Sequence, residues 1–328
     1  MTNQRKKTAL LLTAALLFTG AAFFVSLCTG RYPLTIRLLL SGNENAWRVF
    51  RTLRLPRTFL AMLAGFALGI AGFVFQIVFK NPLASPDIIG VSSGACAGAA
   101  AAILLLHASA PAITACSFAG GLAAVCLALG LARAAGRGRL SSLVLSGIVV
   151  NAFAQSALMI FKYLADPEKE LASIEYWTMG SFSGVTASRL PSACIAAAAG
   201  ILALFLLHRQ LLLLSLDEDE ARMLGAPVAL LRAAALGLAT LITAGIVSVT
   251  GVISFAGLLA PHGARILLRD SRRPTMVLSG LLGSGLVLTA DMIARSVSAG
   301  ELPVSIPISL LGAPFLLWLV LKGGRKWD

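Results

Sequence analysis

The feature that most constrains this chain is a series of apolar runs, each long enough to cross a membrane. A helix needs about 20 apolar residues to span a hydrocarbon layer of about 30 Å. Hydrophobic residues make up 58% of the 328 residues and charged residues only 12%, which is too little polar surface to cover a soluble core of this size. The sequence therefore predicts an all-α fold, in the form of a polytopic helical membrane protein.

About ten spans are predicted from the apolar runs between charged residues, prolines and glycines, and residues 1–328 form one membrane domain. An even number of spans places both termini on one side. Most of the 27 lysines and arginines then lie on that side, and the positive-inside rule for short loops gives an N-in, C-in topology. The eighth span is short and is interrupted by Pro261. The spans are near 8–30, 57–79, 89–107, 111–132, 141–163, 190–207, 229–248, 252–268, 275–298 and 303–322. The basic residues that decide the topology include Arg5–Lys7, Arg133, Arg137, Arg139, Arg269, Arg272, Arg273, Arg325 and Lys326.

The first apolar stretch, from Thr8 to Cys28, resembles a signal peptide. It is longer than the apolar region of a typical signal peptide, which reaches about 15 residues. We expect it to be a retained first helix.

The sequence lacks the motifs of several kinds of catalytic and binding site. GxxxxGK[ST] and HExxH are absent, and there are only three histidines, so neither a phosphate-binding loop nor a zinc protease site is predicted. The five cysteines include no CxxC pair, and we interpret them as small buried apolar residues. We expect no catalytic residues and no metal site.

Two longer segments, 31–57 and 164–189, are predicted on the outer side. The first carries Arg31, Arg37, Arg48, Arg51, Arg54 and Arg57. Its apolar residues Trp47, Phe50 and Leu53 form one helical stripe, which indicates a short helix on the membrane surface. The arginines are explained equally well by lipid phosphates and by an acidic docking partner. In the second segment Asp166, Pro167 and Gly180 predict the start and the end of a short helix.

Four consecutive acids, Asp217 to Glu220, stand between two apolar runs in a chain of net charge +13. Ser215 and Glu218 have the spacing of a capping box, and Gly225 is suited to end the helix. The acids would then lie in the first turn, where the helix dipole favours negative charge. The helix is either a solvated surface helix or a rigid attachment point for a soluble partner.

Asp291 is the only carboxylate clearly within a predicted span, and Arg295 follows four residues later, on the same helix face. This intramembrane pair alone gives little support to a proton- or sodium-coupled transporter or to a membrane-embedded enzyme. The energy for any transport would then come from a partner. Glycines spaced four apart in GFALG (65–69) and GACAG (94–98) permit close helix packing.

Five stretches together resemble the FecCD family, the permeases of iron-siderophore, haem and cobalamin ABC importers. The resemblance runs in order from about residue 8 to 326. Ser305 stands where many family members have glycine, and Ala256 stands where many have valine or isoleucine. The stretches are RLPRTFLAMLAGFALGIAGFVFQIVFKNPLASPDIIGVSSGA (54–95), SLDEDEARMLGAPV (215–228), GVISFAGLLAPHGARILLRD (251–270), ADMIAR (290–295) and ELPVSIPISLLGAPFLLWLVLK (301–322).

The resemblance implies a type II ABC importer permease fold, used as a homodimer in the bacterial inner membrane. Its partners would be two copies of an ABC ATPase and one binding protein, periplasmic or lipid-anchored, together with membrane lipid and no nucleic acid. This chain would bind no cofactor, because ATP and Mg belong to the ATPase. An iron chelate, a ferric siderophore or haem, is the expected substrate. Cobalamin or another corrinoid, or an oxyanion such as molybdate, is the alternative.

The resemblance also implies roles for individual residues. Residues 215–228 would form the coupling helices that dock on the ATPase, with Ser215, Asp217, Glu218, Ala221, Arg222, Leu224 and Gly225 as contacts or structural residues. Acidic residues of the binding protein would dock on Arg54, Arg57 and Arg295. The cytoplasmic gate or ATPase interface would include Asn81, Pro82, Pro261, His262 and Arg265.

Overall fold

The computed structural model describes residues 2–30, 32, 36–135, 140–187, 190–297 and 300–323. Its regular structure is helical throughout these residues. Arg31, Arg137, Arg139, Arg325 and Lys326 of the predicted loops and terminus lie outside them. The helices are α1 (Thr2–Cys28), α2 (Ile36–Leu40), α3 (Glu44–Val49), α4 (Leu55–Val78), α5 (Val91–Leu106), α6 (Ala110–Ala134), α7 (Leu140–Leu164), α8 (Glu170–Thr178), α9 (Leu190–Leu206), α10 (His208–Leu213), α11 (Glu218–Met223), α12 (Val228–Thr250), α13 (Ala256–Leu268), α14 (Arg273–Ser296) and α15 (Ser305–Gly323).

Ten of these helices correspond to the ten predicted spans. Six helical segments are long and apolar enough to cross a membrane: α1, α4 with the turns that precede it, α6, α7, α12 and α14. The helices α5, α9 and α15 are apolar but shorter. Helix α13 has only 13 residues, because it begins at Ala256 and the backbone of residues 251–255 is not helical. The chain is a multi-pass membrane protein.

Helix α4 lies at the centre of the fold, between α14, α13 and α12. Glycines make this packing possible. A Cβ atom on Gly65 would lie 2.2 Å from the carbonyl oxygen of Gly283, and one on Gly72 would lie 1.6 Å from that of Gly257. The GACAG glycines likewise pack directly against α6, because a Cβ on Gly98 would lie 2.3 Å from the Cys116 carbonyl oxygen. Both small-residue motifs of the sequence therefore lie at helix contacts.

Replacement of Gly72 by alanine should destabilise the permease by about 1–3 kcal/mol, because the methyl group forces α4 and α13 apart. The measurement is the midpoint of thermal unfolding in detergent. Gly237→Ala in α12 is the matched control, since a Cβ there meets nothing within 4 Å and alanine is the better helix former. Equal midpoints for the two variants would contradict the packing argument.

Two of the spans, α5 and α13, begin in the middle of the fold rather than at its edge. The 3-10 turn Pro86–Ile89 before α5 packs on α7, where a Cβ on Gly147 would lie 2.6 Å from the Ile88 carbonyl oxygen. Gly257, at the start of α13, lies against Leu68 halfway along α4. Irregular backbone at membrane depth is tolerated where it is buried in protein or lines an aqueous cavity. These two helix beginnings are therefore either buried in protein or line an internal cavity.

The predicted surface helix around Trp47 is not a separate element. Residues 44–78 are helical without interruption, through a π turn at Phe50–Arg54 that joins α3 to α4. Pro56 explains the turn, because it has no N–H to donate to the carbonyl four residues before it and its ring crowds that carbonyl. The short helix predicted around Trp47 is therefore present as α3, but it continues into the second span, and its position on the outer membrane surface stays a prediction.

The second outer segment differs from its prediction at one end. Helix α8 begins at Glu170 instead of Pro167, because the side chain of Asp166 accepts a hydrogen bond from the Glu168 N–H at 2.8 Å and forms a local turn. Gly180 has φ +71° and follows the last turn of the helix, as its position in the sequence predicted.

Candidate functional site

Arg57, near the beginning of α4, is the centre of a buried group of charges. Its guanidinium donates to both carboxylate oxygens of Asp291, with the shortest contact at 2.8 Å, and to Glu301 Oε2 at 2.8 Å. The side chain of Asp291 is 1% exposed and that of Arg57 is 12% exposed. Charge-assisted bonds of this geometry are the strong ones. The link joins α4 to α14 and to the segment before α15.

Arg295 lies on the other side of Asp291 and is also buried. Its Nε atom is 3.4 Å from Asp291 Oδ2, which is the contact that the four-residue spacing predicts. Its Nη2 atom donates to the Ser26 carbonyl oxygen at 2.9 Å and to the Ser26 hydroxyl. Arg295 therefore also fixes the end of α1 to α14.

Arg54 is the third member of the arginine cluster, which we define as Arg54, Arg57 and Arg295. Its Nη2 atom donates to the Tyr32 carbonyl oxygen at 3.0 Å, and its buried Nη1 atom has no hydrogen-bond partner among the described residues. The guanidinium packs so closely on Gly30 that a Cβ there would overlap it. All three arginines and Glu301 line one cavity of about 250 Å³.

The arginine cluster was predicted as an exposed docking surface, but Arg54 and Arg295 are buried. Two residues that bind the cluster had no predicted role: Glu301 binds Arg57, and Ser26 binds Arg295. Glu301 stands in the ELPV stretch, and Ser26 lies near the end of α1. The cavity offers an anion a route to these arginines.

The coupling segment, residues 215–228, lies beyond the opposite end of α4. Asp217 is 3.5 Å from Lys80, which directly follows α4 and its C-cap. Within the segment, Glu218 bonds Arg222 at 2.6 Å and Arg232 of α12 at 3.2 Å. Helix α11 is therefore attached to the end of α12 by a charge-assisted bond.

The two faces of α11 differ in exposure. Ala221 is buried against the fold, whereas Met223 is 81% exposed and Leu224 is 65% exposed. Gly225 has φ +78° and ends the helix as predicted. An exposed apolar end on a short, attached helix is suited to contact another protein.

The capping box predicted for the coupling segment is wrong. The Ser215 hydroxyl donates to the Leu212 carbonyl oxygen at 2.6 Å, at the end of α10, and the helix begins one turn later with Asp217 as its N-cap. Glu218 is used for the bonds to Arg222 and Arg232. The long-range partner Arg232 could not be recognised from local spacing.

The predicted gate residues come together from two parts of the chain. Asn81 closes the turn after α4 by accepting from the Leu83 N–H at 2.9 Å. His262, on α13 next to Pro261, lies beside the Pro82 carbonyl oxygen. Arg265 donates to the Phe73 carbonyl oxygen at 3.3 Å and stacks over the Phe73 ring. These contacts join the end of α4 to α13.

A second carboxylate, Asp87, lies in the internal site and was not singled out in the sequence. It is on the 3-10 turn before α5 and lines a cavity of about 230 Å³ between α4, α12 and the beginning of α13. The sequence did contain a signal for this site: an ionisable residue within or next to a membrane span is usually functional. No group of His, Cys, Asp and Glu in the described residues could hold a metal ion.

The architecture is that of a multi-pass membrane protein: ten helices that match the predicted spans, six of them long and apolar enough to cross a membrane, with charged groups at opposite ends of α4 and an internal cavity beside the beginnings of α5 and α13. Comparison with known proteins identifies the group. The chain belongs to the FecCD transport family, whose model matches residues 16–322.

Three relatives show how far the similarity extends. The hemin transport system permease protein HmuU of Yersinia pestis is 35% identical and the vitamin B12 import system permease protein BtuC of Escherichia coli O157:H7 is 34% identical; each alignment covers 98% of both chains. A solved structure described as an inward-facing conformation of a metal-chelate type ABC transporter superposes with a TM-score of 0.88. It is 32% identical, over 95% of this chain and 98% of that chain. The chain has the fold of an ABC importer permease and is a transport subunit, not an enzyme.

Proposed function

We propose that this chain is the permease subunit of an ATP-driven importer that carries an iron chelate, a ferric siderophore or haem, across the bacterial inner membrane. It would act as a homodimer with N-in, C-in topology, with two copies of a separate ATPase and one external binding protein. ATP and Mg would bind to the ATPase, and this chain would bind no cofactor. The observation that carries the proposal is the placement of the coupling segment and the arginine cluster at opposite ends of α4.

The contacts of α11 support a mechanical role. Glu218 connects it to Arg232 near the start of α12, and α12 continues to Thr250. There the Ser181 N–H donates to the Thr250 carbonyl oxygen at 2.7 Å, and Val304, before α15, donates to the Gly180 carbonyl oxygen at 2.9 Å. A displacement of α11 by the ATPase would therefore reach the other end of the fold along one rigid helix, which is the requirement for alternating access.

The arginine cluster supports docking of an acidic partner. Arg57 and Arg295 already contact Asp291, whereas the buried Nη1 atom of Arg54 lacks a hydrogen-bond partner among the described residues. A carboxylate of the binding protein that entered the cavity would satisfy this donor. The guanidinium fork suits a carboxylate in particular.

The substrate class rests on the relatives. One relative is named for hemin transport, and the structural neighbour is described as metal-chelate type, which favours an iron chelate. Cobalamin is the second candidate, because the vitamin B12 permease of Escherichia coli O157:H7 is nearly as similar over the same length.

The test is uptake by a deletion strain that carries this gene with its ATPase and binding protein. Labelled ferric siderophores, haem, cobalamin and molybdate are offered in parallel, and an ATPase with an inactive catalytic site is the control. We expect ATPase-dependent uptake of one iron chelate. Uptake of cobalamin alone would select the second candidate, and uptake that survives loss of the ATPase would overturn the mechanism.

A further inference from the structure

Asp87 occupies an unusual place for a carboxylate. It lies at membrane depth, because its turn packs on α7 near Gly147, and its cavity is also lined by Leu68 at the middle of α4 and by Thr243 in α12. Its partners are hydroxyl groups only. Ser92 donates a short hydrogen bond to Oδ1, and Ser85 lies 3.5 Å from Oδ2. No basic side chain of the described chain forms an ion pair with it.

The carboxylate is nevertheless accessible. Asp87 is exposed in the protomer, and its cavity contains the polar side chains of Ser92 and Ser254. An ionised group at this depth is very costly against lipid, so such residues face a water-filled space or a partner charge. No partner charge is present among the described residues, so an ionised Asp87 would need water, a solute or a group of a second protomer on its exposed side.

Polar side chains also lie on the neighbouring helix α7. Asn151 accepts a hydrogen bond from Ser93 and touches Gly90, which places this face beside the turn that bears Asp87. One helical turn further along the same face is Gln155, followed by Ser156, and both are exposed in the middle of a membrane helix. These polar groups share the exposed surface of α7 with large apolar side chains such as Phe153, which is 74% exposed.

We propose that Asp87 is a specificity-determining residue in the translocation path, where its carboxylate favours solutes that present cationic or hydrogen-bond-donor groups and disfavours anionic ones. This inference rests on the proposed importer function and narrows its substrate class to positively charged or neutral chelates, which favours a ferric siderophore over haem, because haem carries two anionic propionates. In a homodimer each protomer would contribute one such carboxylate. Serine and threonine hydroxyls around it would orient the ligand but add no charge.

The experiment measures whether the cavity prefers a cationic or an anionic reagent, and it does not require the natural substrate. Ser254→Cys is made in a permease whose five native cysteines are replaced by alanine, assembled with its ATPase in proteoliposomes. The thiol is modified with two methanethiosulfonate reagents of similar size, one carrying a trimethylammonium group and one a sulfonate. The ratio of the two modification rates is compared between the protein that retains Asp87 and the Asp87→Asn variant. The matched control is Asp166→Asn, which removes an outer carboxylate instead.

We expect the cationic reagent to be preferred, and Asp87→Asn to lower the preference about tenfold, as the loss of a unit charge a few ångströms away predicts. Asp166→Asn should leave the ratio unchanged. An equal ratio with and without Asp87, or a thiol that neither reagent reaches with or without ATP, would overturn the inference. ATP-dependent uptake is measured separately in the native chain, so a failed importer function and an unselective cavity give different results.

Discussion

Replacement of Arg57 by alanine should destabilise the permease by about 3–5 kcal/mol, the usual cost of removing one partner from a buried ion pair. Asp291 is almost fully buried and would lose its two-oxygen contact with the guanidinium. Arg295 would remain, but only through a 3.4 Å contact. The measurement is the free energy, or the midpoint, of unfolding of the detergent-solubilised protein.

The double variant Arg57→Ala/Asp291→Asn is the decisive control. It removes the buried negative charge together with its partner, so it should be clearly more stable than Arg57→Ala alone. Glu301→Gln should cost much less, because that side chain is 26% exposed and solvent replaces part of its interaction with Arg57. If Arg57→Ala unfolded like the native protein, the buried cluster would have no structural role, and docking alone would explain these arginines.

The spans and the coupling segment could be predicted because both depend on local properties of the sequence. Length and hydropathy locate membrane helices directly, and Gly225 gave the end of α11. The contacts that were not predicted join residues that are distant from each other in the sequence. Arg57 and Asp291 are 234 residues apart, and Glu218 is held by Arg232 on the next helix, so neither bond has a local signature.

The internal site could be predicted only in part, for a related reason. An apolar run does not reveal where within the membrane a helix begins, so α5 was expected as an ordinary span, and α13 was distinguished only by its short length and by Pro261. Asp87 lies between the predicted spans 57–79 and 89–107, where the sequence predicted a short loop on the inner side. Its depth follows from packing against Gly147 and near Leu68, and this packing exists only in the assembled fold.

Replacement of Leu224 by aspartate should reduce ATPase-dependent uptake by more than about tenfold, the effect expected when one central residue of an interface is lost. Leu224 is exposed at the end of α11 and contributes little to the interior of the fold, so the amount of permease in the membrane should stay unchanged. Uptake and the amount of ATPase that co-purifies with the permease should fall together. Asp219→Asn is the matched control, because this exposed acid in the first turn makes no described bond to α12.

Glu218→Ala separates attachment of the ATPase from transmission of its movement. The substitution removes the bonds to Arg222 and Arg232 but leaves the exposed end of α11 in place. ATPase co-purification should therefore be retained while uptake falls, since α11 would move without displacing α12. If Glu218→Ala and Leu224→Asp instead gave the same loss of co-purification, Glu218 would belong to the docking surface and the path through α12 would be wrong. If both variants transported normally, residues 215–228 would not be the coupling segment at all.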